Sequence, residues 1–225
     1  MHEVLDTQAG RHLIESAEER GYVEPGEVEA VLSRHPAVRD VVGGPVPDAV
    51  LGERLCACVV AGPTWLTFRG DDARTTVLTY DLHAKSVLPG ETKEVGTSGS
   101  ASTLIEAPDF TAYNLTFENP SGHIAQAVAL RTKGQRQAFY NCRMLVWQDT
   151  LYVHTGRAYF KKCYIEGRVD FIFGRATAVF EKCHIHSKNG GYVTAAATEP
   201  DKPFGYLFLN CKLTGEGDKA LLGRP

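Results

Sequence analysis

Two aspartates occupy equivalent positions in consecutive segments of this 225-residue sequence. Asp149 lies seven residues after Cys142, and Asp170 lies seven residues after Cys163. If the two segments stack as strands do, the aspartate backbones lie about one strand spacing, ~4.8 Å, apart. Two carboxylates at this distance do not both ionise easily, so the pKa of one of them rises. One carboxyl group can then act as a general acid while the other remains an anion that attacks.

The residues around the aspartates favour a site for acyl chemistry over the alternative, which is two unrelated surface aspartates at loop starts. Large aromatic residues flank both, within the segments Trp147–Tyr152 and Val169–Gly174. Such rings supply a partly apolar cleft and a stacking surface. Gln148 stands beside the first aspartate, and Gln126 precedes an apolar run. Amide N–H donors next to an acyl carbon are what a tetrahedral oxyanion requires. The position of Arg224 in space does not follow from spacing.

An internal repeat predicts the elements that position these side chains. Four segments share one frame, with Phe three residues before a Cys, Asn or Lys directly before it, and an apolar residue two after it. They are Phe139–Met144, Phe160–Ile165, Phe180–Ile185 and Phe208–Leu213, with Ala112–Phe117 as a looser copy. A repeat of this length with one strand-like core is typical of a β-solenoid whose like residues stack. A β-sandwich is the alternative, but it need not keep side-chain identity in register.

The repeat cysteines are predicted to be core residues. Free Cys behaves as a small buried hydrophobe, although stacked neighbours would also lie within the Cα range of a disulfide. Zinc is disfavoured, because the sequence has no CxxC pair and four ligands in a straight ladder cannot form a tetrahedron. Cys56 and Cys58 alternate on a predicted strand and are also assigned to packing.

Charge divides the sequence into two parts. Residues 1–62 hold 11 acidic residues, 5 arginines and no lysine, whereas residues 63–225 hold 16 acidic and 19 basic residues. This shift predicts segments of different origin. The first part is predicted to be a short α/β segment, with a helix at Glu27–Arg34 ended by Pro36 and strands at Ala37–Val42 and Leu55–Val60.

Composition excludes several functional classes. Apolar residues make up 43 %, charged residues 23 %, and the net charge is −3, which is a soluble globular composition without a nucleic-acid footprint. The longest apolar run, Leu55–Gly62, is too short to span a membrane. The first twenty residues contain five acidic residues and no apolar stretch, so no signal peptide is predicted in this chain.

The first 60 or so residues resemble the start of the small C-terminal domain of adenylate-forming (acyl-CoA synthetase-like) enzymes. The resemblance is carried, in order, by Pro25–Leu32, His35–Val38, Pro47-Asp48 and Leu51–Arg54. That family places a catalytic lysine near the end of the domain. Because residues 1–62 contain no lysine, we expect a non-functional synthetase-like fragment rather than an adenylating enzyme.

The second part, from about Thr64 to Pro225, resembles pectin methylesterases (pectinesterases, carbohydrate esterase family 8). Four motifs carry the resemblance in family order: Gln126–Leu130, Gln148–Tyr152, Asp170–Gly174 and Leu222–Pro225. The family fold is a right-handed parallel β-helix, which agrees with the solenoid predicted from the repeat. We therefore expect an all-β solenoid at 63–225 behind the α/β segment at 1–62. The family's later coils are expected to be missing, along with the tryptophan that follows its Leu-Gly-Arg-Pro.

The resemblance implies hydrolysis of methyl esters in polygalacturonate (pectin), without a metal or other cofactor. By motif match, Asp170 is the nucleophile that attacks the carboxymethyl carbon. Asp149 protonates the departing methanol and then activates water. Gln126 and Gln148 stabilise the oxyanion, and Arg224 holds Asp170 ionised and oriented and contacts substrate carboxylate.

The resemblance also extends beyond these five residues. Thr97 matches a substrate contact, and Phe171 and Tyr152 are expected to stack on sugars or to line the cleft. Cys163 and Cys183 match a position that is bridged by a disulfide in some bacterial members. The family role implies a monomer without nucleic-acid or membrane partners, in an extracellular or periplasmic location. The open edge of a shortened solenoid nevertheless predicts aggregation.

Two other functions remain open at this stage. One is an inactive solenoid that only binds acidic polysaccharide, through lysines such as Lys161, Lys162 and Lys182. The other is a fragment of an acyl-adenylate enzyme, which the missing lysine and the missing large ATP-binding domain disfavour.

Overall fold

The computed structural model describes residues 38–48, 52–61, 66–121, 123–217 and 219–224. The chain divides into two compact units, residues 1–69 and 70–225. No helix in the described part is long and apolar enough to span a membrane.

The described part of the first unit contains an antiparallel hairpin of β1 (Val38–Asp48) and β2 (Gly52–Ala61), followed by β3 (Thr67–Arg69). The two strands predicted from the β-branched runs are confirmed. The predicted end of the first strand at Val42 is wrong, because β1 continues through Gly43, Gly44 and Pro45 to Asp48. A two-stranded hairpin has an outer edge where proline, which lacks an N–H, is tolerated. The helix predicted at Glu27–Arg34 and the side chains of Cys56 and Cys58 lie outside what the structure describes.

The second unit is a parallel β-helix of short strands. In chain order its strands are β4 (Val77–Thr79), β5 (Thr103–Ile105), β6 (Thr111–Tyr113), β7 (Thr116–Glu118), β8 (Leu130–Tyr140), β9 (Arg143–Leu145), β10 (Leu151–Lys161), β11 (Tyr164–Gly167), β12 (Ile172–Gly174), β13 (Thr177–Glu181), β14 (His184–Ser187), β15 (Gly191–Ala196), β16 (Tyr206–Leu209), β17 (Lys212–Gly215) and β18 (Ala220–Gly223). One helical turn, α1 (Gly96–Gly99), precedes β5.

These strands form two parallel sheets in which each neighbour comes from the next coil. Sheet 1 has the order β18-β15-β12-β10-β8-β6, with β5 beside β8 and β13 between β10 and β16. Sheet 2 has the order β17-β14-β11-β9-β7-β4. This is the parallel β-helix that the repeat predicted.

The repeat sets the register between coils. Phe160 lies opposite Phe139 and Phe180, and Phe180 lies opposite Phe208. The ring centroids of successive pairs are 4.9, 4.9 and 4.7 Å apart, with the rings nearly parallel. The apolar residues two positions after each Cys are paired across sheet 2 in the same way. These distances match the spacing of neighbouring strands, so each repeat is one coil.

Three of the four repeat cysteines are buried free thiols, as predicted for core residues, whereas the free thiol Cys211 is only half-buried. Cys142, Cys163 and Cys183 are almost fully buried. The Sγ atoms of Cys163 and Cys183 donate to the carbonyls of Phe139 and Phe160 in the preceding coil, each at 3.4 Å. The disulfide between Cys163 and Cys183 that the resemblance implied is therefore wrong for this structure. Each thiol is hydrogen-bonded to the backbone, and burial raises the pKa of Cys163.

The final strands of both sheets expose leucines. Leu207 and Leu209 in β16, Leu213 in β17 and Leu221 in β18 are between 41 % and 50 % exposed, and β17 and β18 end the strand orders of the described residues. Unpaired strand edges and apolar patches favour association. We expect light scattering to show a mass that rises with concentration, and Leu213→Lys combined with Leu221→Lys to reduce the rise. A constant monomer mass at high concentration would contradict this expectation.

Candidate active site

Asp149 and Asp170 lie in the loops that lead from β9 into β10 and from β11 into β12. The strands that follow are paired in parallel, with Leu151 opposite Ile172 and Tyr152 opposite Phe173, so the two aspartates occupy the same position on consecutive coils. Both have a left-handed backbone, with φ of 62° and 50°. Aspartate tolerates this conformation better than most residues do, and such strained positions cluster at functional sites.

In the Asp170 carboxylate, one oxygen has a charged partner and the other is open, meaning that no described residue forms a hydrogen bond with it. Arg224 Nη1 lies 3.4 Å from Oδ2 of Asp170, and the Arg224 amide donates to the Thr194 carbonyl at 3.4 Å. The Oδ1 atom is buried and has no hydrogen-bond partner among the described residues. A buried oxygen without a partner is energetically unfavourable, and its lone pairs remain available to an electrophile. The structure thus brings Arg224, whose position could not be derived from spacing, to Asp170.

Asp149 differs from Asp170 in its electrostatic surroundings. Burial and, secondarily, the negative charge of Asp170 raise the pKa of Asp149 to about 7, while Arg224 acts in the opposite direction. Near neutral pH a large fraction of Asp149 therefore carries a proton. A protonated carboxyl group beside a carboxylate with an open oxygen can combine general acid and nucleophilic roles.

The two glutamines lie on neighbouring coils. The amides of Ala129 and Leu130 donate to the Thr150 carbonyl at 3.0 and 3.3 Å, so the segment that starts at Gln126 runs beside the segment that contains Gln148. Gln126 is exposed and is followed by fully buried residues, and Gln148 is half-buried. The Ala84 amide donates to the Gln126 carbonyl at 2.7 Å, which fixes the point where Gln126 leaves the core.

Aromatic rings are stacked just downstream of the aspartates. The half-buried ring of Tyr152 lies 4.4 Å from that of Phe173, centroid to centroid, with 12° between the planes. The Arg131 guanidinium lies 5.6 Å from the centre of the Tyr152 ring. It also contacts His154 Nδ1 at 3.2 Å. The stacked rings of Tyr152 and Phe173 provide aromatic surface that suits a sugar ring.

Phe171 requires a correction. Its side chain is 0 % exposed, so the ring is part of the core and has no face for a sugar. Phe173, which is half-buried, occupies the exposed position instead. The alignment of coils could have identified it, because Phe173 lies the same distance after Asp170 as Tyr152 lies after Asp149.

Thr97 lies in α1 and is half-buried. Its carbonyl accepts hydrogen bonds from the amide and hydroxyl of Ser100 at 3.3 and 2.8 Å. The Ser100 hydroxyl in turn accepts from the Val128 amide at 3.2 Å. These bonds tie α1, and Thr97 with it, to the segment that follows Gln126. Within the described ranges, no group of three or more His, Cys, Asp or Glu residues is arranged to hold a metal ion.

Comparison with family models and known proteins identifies relatives of both units. The Pectinesterase family model matches residues 59–225, and the model of the AMP-binding enzyme C-terminal domain matches residues 27–78. Pectinesterase 31 of Arabidopsis thaliana is 48 % identical over 169 residues, which cover 72 % of this chain and 53 % of that protein. The chain thus spans about half the length of the curated relatives it matches.

Solved structures agree with the family match. A pectin methylesterase from Yersinia enterocolitica superposes with a TM-score of 0.67 at 35 % identity, over 71 % of this chain and 58 % of that one. A pectin methylesterase in complex with a hexasaccharide has a TM-score of 0.67 at 32 % identity, over 71 % and 56 %. With a family model that covers most of its length and these structural relatives, the chain belongs to the pectinesterase family.

Proposed function

We propose that the β-helix of this chain hydrolyses the methyl esters of galacturonate units in pectin, releasing methanol and leaving carboxylates. The observation that carries the proposal is the pair of aspartates on consecutive coils. One has a pKa of about 7, and the other has an open carboxylate oxygen and an arginine partner. The names of the relatives, and the hexasaccharide bound to one of them, support this substrate class.

In the first half of the reaction, Asp170 acts as the nucleophile. A carboxylate oxygen of Asp170 attacks the ester carbonyl carbon, and the carbonyl electron pair moves onto oxygen to give a tetrahedral oxyanion. When this intermediate collapses, the bond to the methoxy oxygen breaks and Asp149 transfers its proton to that oxygen. Methanol leaves, and the galacturonyl group remains bonded to Asp170 as an anhydride.

In the second half, Asp149 acts as a base. Its carboxylate takes a proton from water while the water oxygen bonds to the acyl carbon. The second tetrahedral intermediate expels the Asp170 carboxylate and yields the free galacturonate. A pKa near neutrality lets one group both donate and accept the proton.

The glutamines and the arginine support these steps. We assign the side-chain amides of Gln126 and Gln148 to the oxyanion, where N–H donors are most effective. Arg224 pairs with the Asp170 carboxylate and orients it, and its exposed guanidinium can also contact a substrate carboxylate. Tyr152 and Phe173 provide the stacking surface for the sugar, with Thr97 at the edge of the cleft.

The oxyanion assignment predicts the effect of truncating Gln148. We expect Gln148→Ala to lower kcat about 10²-fold with little change in KM, because the lost donor acts mainly in the transition state. Steady-state kinetics of methanol release measure both constants. Gln135→Ala is the matched control, since Gln135 is an exposed residue of β8 that accepts a hydrogen bond from Arg157 Nε. An equal effect of the two substitutions would contradict the assignment.

The pH dependence follows from the proton on Asp149. In the free enzyme, kcat/KM is expected to fall as pH rises through about 7, because Asp149 then loses the proton that methanol must receive. Arg224→Gln removes a charge that lowers the pKa of Asp149, so the residual activity of this variant is expected to persist to higher pH. A pH–rate profile of both proteins measures the shift. A profile that moves to lower pH would contradict the expected sign.

The direct test of the proposed function is methanol release from highly methylated pectin by the folded 225-residue chain. Circular dichroism confirms folding, and an alcohol oxidase assay measures methanol. We expect sustained release together with acidification of the medium. A folded, β-rich chain that releases no methanol would overturn the proposal.

We propose that residues 1–62 and 63–225 have different origins. We also propose that the protein acts outside the cytoplasm. Residues 1–62 lack lysine altogether, which supports a synthetase-like fragment that does not adenylate acids, followed by the esterase solenoid from residue 63. Because pectin is an extracellular polymer, we infer an extracellular or periplasmic place of action.

A further inference from the structure

A second recess lies at a corner of the solenoid away from the aspartates. It encloses about 500 Å³ and is called the corner pocket below. The residues that define it are Asp72, Arg74, Asn141, Arg143, Lys162 and Tyr164. Asn141 and Lys162 come before β9 and β11, whereas Asp149 and Asp170 come after those strands. The two sites therefore lie at opposite ends of the sheet 2 strands.

Positive charge dominates the corner pocket. Arg74, Arg143 and Lys162 face a single carboxylate, Asp72, whose Oδ1 already accepts a hydrogen bond from the Arg74 amide at 2.6 Å. In the part of the chain that the structure describes, none of the three cations forms an ion pair within 4 Å. Clustered cations without counter-charges attract an anionic ligand.

The pocket also contains an aromatic ring in a fixed orientation. The Arg143 guanidinium lies 5.8 Å from the centre of the Tyr164 ring, and the Tyr164 hydroxyl donates to Glu166 Oε2 at 2.8 Å. Both contacts hold the ring and the guanidinium in place. A fixed ring edge beside cations suits a sugar that carries a negative charge better than it suits a small inorganic anion.

The backbone conformation at the corners does not explain why Lys162 and Lys182 occupy two of these positions. Five residues that begin the turn into sheet 2 have φ between 52° and 55°: Asn114, Asn141, Lys162, Lys182 and Asn210. Asparagine favours this conformation, and the Asn141 side-chain amide also donates to Asn114 Oδ1 at 2.8 Å. Lysine neither favours this backbone conformation nor forms such a side-chain hydrogen bond between coils.

The two corner lysines also place like charges on neighbouring coils. The Lys162 amide donates to the Glu181 carbonyl at 2.9 Å, so Lys162 and Lys182 begin adjacent turns at about the 4.8 Å spacing of stacked strands. This arrangement is unfavourable by itself. It becomes favourable when a ligand with regularly repeated negative charge lies along the corner.

We propose that the corner pocket, extended by Lys182, binds de-esterified stretches of polygalacturonate. The identity of this ligand rests on the proposed function, whose reaction generates such a polyanion from a neutral polymer. Because the site lies apart from the aspartates, it would hold the protein on polymer that has already been processed. Binding of the processed polymer at the corner pocket raises the local concentration of the remaining esters at the active site.

The test compares binding by paired variants at low salt. De-esterified polygalacturonate is titrated by calorimetry into the wild-type chain, Lys162→Asn/Lys182→Asn, Arg74→Gln/Arg143→Gln, and the control Arg157→Gln/Lys202→Gln. Highly methylated pectin is titrated into the same four proteins with Asp170→Asn added, so that the ester groups are not hydrolysed during the measurement. The control removes the same number of exposed charges elsewhere. We expect both corner variants to bind the de-esterified polymer about three- to tenfold more weakly, and the control to match the wild type.

Two further readouts separate binding from folding and from catalysis. Lys162→Asn/Lys182→Asn should raise the thermal midpoint, because asparagine tolerates the left-handed backbone. Methanol release from a short methylated oligogalacturonate should be unchanged in the corner variants. Unchanged affinity for the de-esterified polymer in both corner variants would overturn the proposal. The proposal would also be overturned if dextran sulfate or single-stranded DNA bound with the same affinity as the de-esterified polymer and lost as much affinity on the same substitutions. If the proposed function alone fails, methanol release is absent while corner-dependent binding persists.

Discussion

Replacing Asp170 by Asn is expected to lower kcat for methanol release from pectin by about 10⁴-fold or more. The amide cannot supply the anionic oxygen that attacks the ester carbon. Asparagine has nearly the same size and also tolerates the left-handed backbone of residue 170, so the loss should not come from unfolding. Methanol assays on purified variants with matching circular dichroism spectra measure the effect.

Asp109 offers a matched control for this substitution. It is another aspartate with a left-handed backbone, at φ 56°, but it forms an ion pair with Arg136 on the surface. Asp109→Asn should leave kcat within about twofold of the wild type, because surface pairs contribute little. If Asp170→Asn kept activity comparable to that of the control, Asp170 could not be the nucleophile.

Replacing Asp149 by Asn is expected to have opposite effects on activity and on stability. Without the proton donor, kcat should fall about 10³-fold. The folded protein, however, should gain roughly 4 kcal/mol in its free energy of unfolding at pH 8. Burial and the charge of Asp170 raise the pKa of Asp149 from 3.8 to about 7. Ionising Asp149 in the folded state is therefore unfavourable, and asparagine never ionises.

The sign of the stability effect determines the pH at which it appears. Between about pH 4 and pH 7 the folded state binds a proton that the unfolded state has lost, so wild-type stability falls as pH rises through this range. At pH 4 the wild type and Asp149→Asn should unfold at similar urea concentrations. At pH 8 the variant should require more urea. A variant that is less stable than the wild type at pH 8 would contradict the raised pKa.

Much of the fold could be predicted because a solenoid repeats its contacts as well as its shape. Phe139, Phe160 and Phe180 recur in the sequence because each ring packs on the same ring of the next coil. The continuation of β1 through Pro45 could not be predicted in this way. The sequence Gly43-Gly44-Pro45 by itself indicates a turn. Only the pairing with β2 shows that the proline lies within a strand of a two-stranded hairpin.

The candidate site could be predicted in part for the same reason. The seven-residue offset from each Cys places Asp149 and Asp170 on consecutive coils. Arg224 lies far along the chain, so its approach to Asp170 depends on the lengths of intervening loops, which no periodicity fixes. The prediction of Phe171 as the sugar contact, in place of Phe173, shows a related limit of reading a motif from the sequence. Two aromatic residues in one short motif point differently, and only the register with Tyr152 shows which is exposed.

The proposed mechanism requires Asp149 to hold a proton at neutral pH, because of its burial and its neighbour Asp170. Carbon-13 NMR of the aspartate carboxyl carbons, assigned with Asp149→Asn, measures this directly and does not depend on activity. We expect the Asp149 carboxyl to titrate with a midpoint near pH 7 in the wild type, and at lower pH in Asp170→Asn. A midpoint near pH 4 in the wild type would contradict the proposed mechanism, because the site would then hold no acid for the departing methanol.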